Sequence, residues 1–237
     1  MAELLDAFRD LIVGVACVGC DRPGRLLCPA CEAELDPHPA PAWPSPVPPG
    51  LTAPWAAIPY AGIVRAMILG HKERRLLGLA APLGDLLAAA VVHALDDAGA
   101  LHSAPVLLVP VPSRPVTVRR RGHAPTTSLV RVATTRLRGW GRPARCAPLL
   151  RTRRGLADQS GLDAVGRAAN LAGAFRAHAP ALRAVARSGR GWHVVVCDDV
   201  LTTGSTAAEA QRALRAVGLP PVAAVAVAAT RRRTPAH

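Results

Sequence analysis

The sequence predicts an α/β protein in which a parallel sheet is covered by helices, with a small four-cysteine module ahead of it. Three observations predict this. From Tyr60 onward, continuously apolar segments of strand length alternate with helical segments, the pattern of strands buried on both faces. The stretch "VVVCDDVLTTGST" (Val194–Thr206) runs from an apolar strand into two adjacent acids and a small-hydroxyl turn. Near the N-terminus, four cysteines fall within fifteen residues as two CxxC pairs.

Composition bounds the possibilities. A chain of 237 residues holds one medium domain and a small appendage. Half the residues are hydrophobic and only 3% aromatic, so the core is built from Ala, Val and Leu. Basic residues outnumber acidic ones by 29 to 16, a formal net charge of +13, and Lys72 is the sole lysine. Arginine forks phosphates and carboxylates bidentately, and the positive excess favours polyanionic partners.

Three zones follow one another. Residues 1–36 hold a helix, with apolar Leu4, Leu5, Phe8, Leu11, Ile12 and Val15 at helical spacing, and then the cysteines. The first residues carry acids and no basic run, so no secretory signal is expected. Residues 37–59 are proline-rich and read as a linker, too rich in Pro for a helix or a central strand. Residues 60–237 form the main domain. Within it, 60–95 reads as two helices broken near Gly70 or Pro82. Val106–Pro112 is a short apolar strand, 126–140 a helix, and 145–161 a short strand passing into a polar loop. Strand 192–199, a helix over 205–218 ending at Gly218, and strand 221–230 complete the pattern. No apolar run approaches the ~20 residues of a membrane span. The expectation is a cytoplasmic protein without membrane insertion.

Cys17, Cys20, Cys28 and Cys31 form two knuckles separated by seven residues. Each CxxC turn presents two thiolates on one side, and two knuckles make a closed tetrahedral site for structural Zn²⁺. Disulfides are the alternative, disfavoured in a reducing compartment. Cys146 and Cys197 sit in apolar settings and read as inert thiols.

The acids before the turn need an account, because strands disfavour Asp and adjacent carboxylates repel. Backbone N–H groups at a helix start, with Gly204 permitting close approach, cradle an anion. Hydroxyls of Thr202, Thr203, Ser205 and Thr206 add donors. Asp198 and Asp199 cannot touch that phosphate, so they suit the hydroxyls of a ribose. A sugar 5-phosphate satisfies both halves, whereas helix capping explains only one such residue.

The stretch resembles the phosphoribosyl pyrophosphate (PRPP) signature of type I phosphoribosyltransferases. That resemblance implies a type I phosphoribosyltransferase-like fold, a parallel sheet flanked by helices with a smaller hood. It further implies that Thr202, Thr203, Gly204, Ser205 and Thr206 hold the 5-phosphate and that Asp198 and Asp199 face the ribose diol. Mg²⁺ would bridge pyrophosphate and diol. "VLLVPVPSRP" resembles the strand and pyrophosphate loop of such enzymes, which assigns Pro112, Ser113 and Arg114 to the pyrophosphate. Arg151, Asp158, Gln159, Arg167 and Asn170 match a flexible loop that closes over the site and excludes water. The carboxylate that serves 6-oxopurine acceptors has Thr202 in its place, which disfavours hypoxanthine-type salvage.

The order of motifs, from the four cysteines through Val-Pro-Val-Pro, "RRRG" and "DQSGL" to the PRPP signature, resembles the ComF family over nearly the whole chain. That implies a link to uptake of single-stranded DNA in natural competence and to DNA-uptake or helicase machinery. Arg119, Arg120, Arg121, Arg153 and Arg154 are the DNA-contact candidates. Two departures stand out: "RGHAP" (121–125) replaces the usual Arg-Gly-Phe-Asn-Gln, and "VGVA" replaces an aromatic before the first CxxC. Two alternatives stay open, a small-molecule phosphoribosyltransferase of nucleotide metabolism and a non-catalytic regulator on the same fold. The acceptor and self-association are left open too.

Overall fold

The computed structural model describes residues 15–100, 104–113, 122–153 and 173–230. The helix expected at the N-terminus lies outside them.

Four of the six strands of the main sheet are built on apolar runs that the fold buries. In chain order the elements are α1 (Pro29–Ala33), β1 (Ala40–Pro41), β2 (Pro54–Pro59), α2 (Gly62–Glu73) and α3 (Ala80–Asp97). Then come β3 (Val106–Pro110), α4 (Pro125–Gly139), β4 (Ala144–Cys146), β5 (Leu150–Thr152) and β6 (Phe175–Ala177). The chain continues through α5 (Ala179–Ala186), β7 (His193–Leu201), α6 (Ser205–Arg215) and β8 (Pro221–Ala229). The sheet order is β1-β2-β8-β7-β3-β4. Every neighbour pair is parallel except β1 with β2. β5 and β6 form a separate antiparallel pair.

Strand residues alternate between two cores. Val106, Leu108, Val195, Cys197, Val225 and Val227 face α3 and α4, where Leu83, Leu87, Val91, Leu129 and Leu137 meet them. Leu107, Val109, Val194, Val196, Ala224 and Ala226 face the opposite side with Ala207, Ala210 and Leu214 of α6. Both faces are therefore dry, which is why these strands read as unbroken apolar runs. The segment from Leu77 to Asp97 has the length and hydropathy of a membrane span, and more than half of it is buried within this fold.

Three expectations need correction. The proline-rich passage is not a plain linker: its end is β2, which pairs in parallel with β8 through Pro54↔Ala224 to Pro59↔Ala229. Its prolines stand at the strand ends, leaving Trp55-Ala56-Ala57-Ile58 as the paired apolar interior, a placement the ladder tolerates. The break between the first two helices falls after Glu73, through Arg75 (φ 57°) and a 3₁₀ turn at Leu77–Leu79, and not at Gly70 or Pro82. Pro82 lies in the first turn of α3, where a missing N–H costs nothing. The strand expected near 145–150 is two, β4 and β5, in different sheets.

Candidate functional site

All parallel strands end at one edge of the sheet. From β3 the chain passes through α4 to β4 on one side; from β7 it passes through α6 to β8 on the other. The two crossover helices lie on opposite faces. Neighbouring strands whose connections diverge in this way leave a crevice beyond their carboxyl ends, the usual ligand position in open α/β sheets. The crevice here lies between β3 and β7. Pro112 and Ser113 follow β3 into it, half-buried, and the Val111 amide holds them there by donating to the Cys197 carbonyl at 2.9 Å.

The small-hydroxyl turn stands at the end of β7. Thr202 is exposed, Thr203 and Thr206 are half-buried, and Gly204 and Ser205 are buried. Gly204 is the N-cap residue of α6 with φ 72°, a left-handed conformation that costs other residues dearly. A Cβ there would also meet Leu51 Cδ2 at 2.8 Å and Pro44 Cγ at 3.0 Å. Thr203 Oγ1 accepts a long bond from the Ser205 amide (3.5 Å) and donates to Ser205 Oγ (3.2 Å). Asp198 and Asp199 lie inside β7, so helix capping does not account for them.

Strand alternation separates the two acids. Asp198 shares the face of Val194 and Val196; Asp199 shares that of Val195 and Cys197. The Asp199 amide donates to Asp198 Oδ1 at 2.8 Å, and the Val200 amide donates to Asp199 Oδ1 at 2.9 Å. Asp199 is buried and meets Lys72 Nζ of α2 at 2.7 Å. Burial, and then the adjacent Asp199 charge, push the Asp198 pKa up to about 8. Next to Lys72, His71 is buried, and burial holds its pKa below the ordinary value. Its ring stands edge-on to His123 at 5.3 Å, and His123 Nε2 donates to the His71 carbonyl at 3.1 Å.

Four side chains of α6 that sequence reasoning missed clamp other segments to the site. Gln211 of α6 is fully buried and pairs with Thr52 in both directions: Thr52 N donates to Oε1 (3.0 Å), and Nε2 donates to Thr52 O (2.8 Å). Arg215 adds bonds to Gly50 O (2.9 Å) and Thr52 Oγ1 (2.8 Å). The passage from Pro44 to Thr52 is thus strapped over the turn. Glu209 accepts from the Phe175 amide (3.0 Å) and is forked by Arg212, which ties α6 to the β5–β6 hairpin. The hydrogen bonds and the charge of Arg212 outweigh burial and lower the Glu209 pKa.

Of the expected flexible loop, Arg151 is exposed in β5. Asp158, Gln159, Arg167 and Asn170 lie outside the described residues, as do Arg114 of the pyrophosphate loop and Arg119, Arg120, Arg121 and Arg154 of the DNA set. Arg153 is exposed at the end of β5.

The cysteines come together as expected. The four Sγ atoms of Cys17, Cys20, Cys28 and Cys31 lie within 4.8 Å of one another and could hold a metal ion. The first knuckle is a tight turn closed by Cys17 N to Arg22 O and Asp21 N to Cys17 O, both 2.9 Å. The second opens α1, with Cys28 as its N-cap residue. Burial alone would raise the Cys17 pKa, but the amides of Cys28, Gly19 and Cys20 outweigh it and bring it down to about 6. Burial and the neighbouring thiols push Cys31 far up. Several sulfurs competing for negative charge in one buried spot is a conflict that a bound cation resolves. Leu27 and Ile63 pack on the cluster, docking it on α2. Cys146 and Cys197 pack in the α3–α4 core, and burial raises both pKa values.

No model of a known protein family matches the chain, and neither does any curated protein sequence.

Proposed function

We propose that the chain is a PRPP-binding protein of type I phosphoribosyltransferase fold, of the ComF type, that transfers a ribose 5-phosphate group to a nitrogen acceptor. The observation that carries the reading is the coincidence at one strand end of a hydroxyl-rich turn opening α6 and of two acids, both beside the β3–β7 crevice. The α6 N-terminus supplies backbone amides and the positive end of a helix dipole to the 5-phosphate. Asp198 accepts from the ribose hydroxyls, while Lys72 fixes Asp199 behind it.

In the reaction, the acceptor nitrogen forms a bond to C1′ as the C1′–O bond to pyrophosphate breaks. Pyrophosphate leaves with the bonding pair, and the nitrogen's proton passes to solvent. The transition state is oxocarbenium-like, so a water-excluded crevice has a purpose. Mg²⁺ bound with PRPP would supply charge neutralisation. No carboxylate stands in the 202–206 turn, which argues against a 6-oxopurine acceptor.

Calorimetry with PRPP and Mg²⁺ tests the reading. Asp198→Asn combined with Asp199→Asn is expected to weaken binding by more than about tenfold, or about 1.4 kcal/mol. An unchanged affinity in a folded double variant would sink it. The same titration with oligo-dT asks separately whether the positive charge serves DNA.

For the cysteine cluster we propose structural Zn²⁺, which four convergent thiolates suit in kind and number. Cys20→Ser with Cys28→Ser is expected to abolish the bound zinc of the wild-type protein while the sheet core stays folded. Wild-type protein purified without chelator and found free of zinc by metal analysis would refute this.

A further inference from the structure

One buried titratable ring beside the candidate site has no role in the ligand chemistry. His71 stands in the last turn of α2, only 1% exposed, and neither of its ring nitrogens has a hydrogen-bond partner. A neutral imidazole carries one donor and one acceptor, and burying both unpaired is a cost that native structures seldom carry.

The segment ahead of α4 closes over this ring. His123 stands edge-on to it at 5.3 Å between ring centroids, and His123 Nε2 donates to the His71 carbonyl at 3.1 Å. The chain reaches His123 through Gly122 (φ 73°), where an added Cβ would meet Arg75 Nη2 at 3.1 Å. Pro125 then opens α4, buried. Residues 122–125 therefore lean on the end of α2 at two places, the His71 ring and Arg75. Charged and titratable groups act on the ring from three elements. His123 does so from the segment before α4, and Asp199 from β7. On α2 itself Lys72 comes next, its Nζ 2.7 Å from Asp199 Oδ2.

A proton on His71 would make a buried cation without an acceptor. The helix C-terminus and the Asp199 charge favour that cation, but burial outweighs them and His123 opposes it, so the ring takes up a proton less readily than an exposed histidine. Once moved into water, the same ring protonates at the ordinary value of 6.5. Opening therefore binds a proton that the closed form refuses. Above the ordinary value both forms are neutral and the closed form keeps its full stability; below it, opening gains as the pH falls.

We propose that His71 and His123 form an acid-sensitive latch that fastens the segment before α4 to the end of α2, and with it steadies the Lys72–Asp199 pair. The latch does not depend on the PRPP reading.

Hydrogen exchange followed by mass spectrometry on the full metal-loaded chain tests it, at about pH 7.5 and about pH 5.5, with rates corrected for the intrinsic pH dependence of exchange. Protection of residues 68–76 and 122–128 is expected to fall by up to about tenfold for each pH unit below the ordinary histidine value. Residues 225–228 of β8 are expected to keep theirs. His71→Gln cannot titrate, so its protection in the same two segments is expected to stay level. Both proteins carry the same cysteines and aspartates, so titration of those groups, or loss of metal at the lower pH, moves both alike. Should the variant fail to fold, a proton-NMR titration of the wild-type His71 ring takes its place, and the ring is expected to charge only as protection is lost. The proposal is overturned if wild-type protection is the same at both pH values, if His71→Gln loses protection as wild type does, or if the ring charges while both segments stay protected.

Discussion

Replacing Lys72 with alanine is expected to lower the melting temperature of the metal-loaded protein by about 6–12 °C. Lys72 Nζ stands 2.7 Å from Asp199 Oδ2, and the Asp199 side chain is only 6% exposed. Removing one partner of such a pair strands a charge in a dry site, at a cost of about 3–5 kcal/mol. The Lys72 side chain is 35% exposed, so solvent screens part of the interaction and the lower end applies. At about 2–4 °C per kcal/mol for a chain of this size, about 3 kcal/mol gives the stated shift. The double variant Lys72→Met with Asp199→Asn removes both charges and is expected to recover most of the loss, because no orphan remains. Thermal melts of the three proteins at one pH decide the matter. A single variant that melts with wild type, or a double variant no better than the single, would show that the pair does not hold α2 to β7.

The sheet strands were legible because burial on both faces leaves a simple signature. Val194–Cys197 and Ala223–Ala228 are apolar at every position, which a half-solvated strand cannot be. Strand order was not legible, since it depends on which way each crossover turns. β2 was missed because Pro54 and Pro59 flank its four apolar residues, and proline is counted against a strand wherever it stands. The cysteine cluster was legible because its ligands are local, two knuckles within fifteen residues.

The contacts that finish the site are long-range, and pattern alone does not give them. Lys72 reaches Asp199 from another helix, and its only local signal was that one lysine stands in an arginine-rich chain. Gln211 did carry a signal. It occupies the buried stripe of α6 with Ala207, Ala210 and Leu214, and a buried amide needs partners. Those partners turned out to be Thr52 N and O. His123, the departure from the Arg-Gly-Phe run, keeps a ring at that position, and the ring packs edge-on against His71. That ring contact lies next to the Lys72–Asp199 pair.

Asp198→Asn is expected to stabilise the protein at neutral pH and to weaken PRPP binding at the same time. The ordinary carboxylate value is 3.8, and in the fold it is pushed up to about 8, first by burial and then by the Asp199 charge. Below pH 3.8 the group is protonated in both folded and unfolded chains and contributes no difference. Between the two values the unfolded chain sheds its proton while the folded one keeps it. Fewer protons bound to the unfolded state means that stability falls as pH rises across that window. Asparagine cannot titrate, so the variant escapes this loss, and its Oδ1 can still accept the Asp199 amide that now bonds Asp198 Oδ1 at 2.8 Å. The difference in melting temperature between variant and wild type should be small near pH 4 and should widen towards pH 8. From the ordinary value to pH 7 the penalty amounts to about 4 kcal/mol. Asp198 is only half-buried, so solvent screens part of it, and a remaining penalty of about 2 kcal/mol should give about 4–8 °C. PRPP draws on the ionised carboxylate, which asparagine cannot supply. The variant should therefore lose about tenfold in PRPP affinity when binding is measured above about pH 8, where Asp198 is charged in the free protein. Residues kept at the expense of stability mark functional sites, so a gain in melting temperature paired with a loss in binding would tie the PRPP reading to this carboxylate. A variant less stable than wild type across the whole window would instead make Asp198 a structural residue.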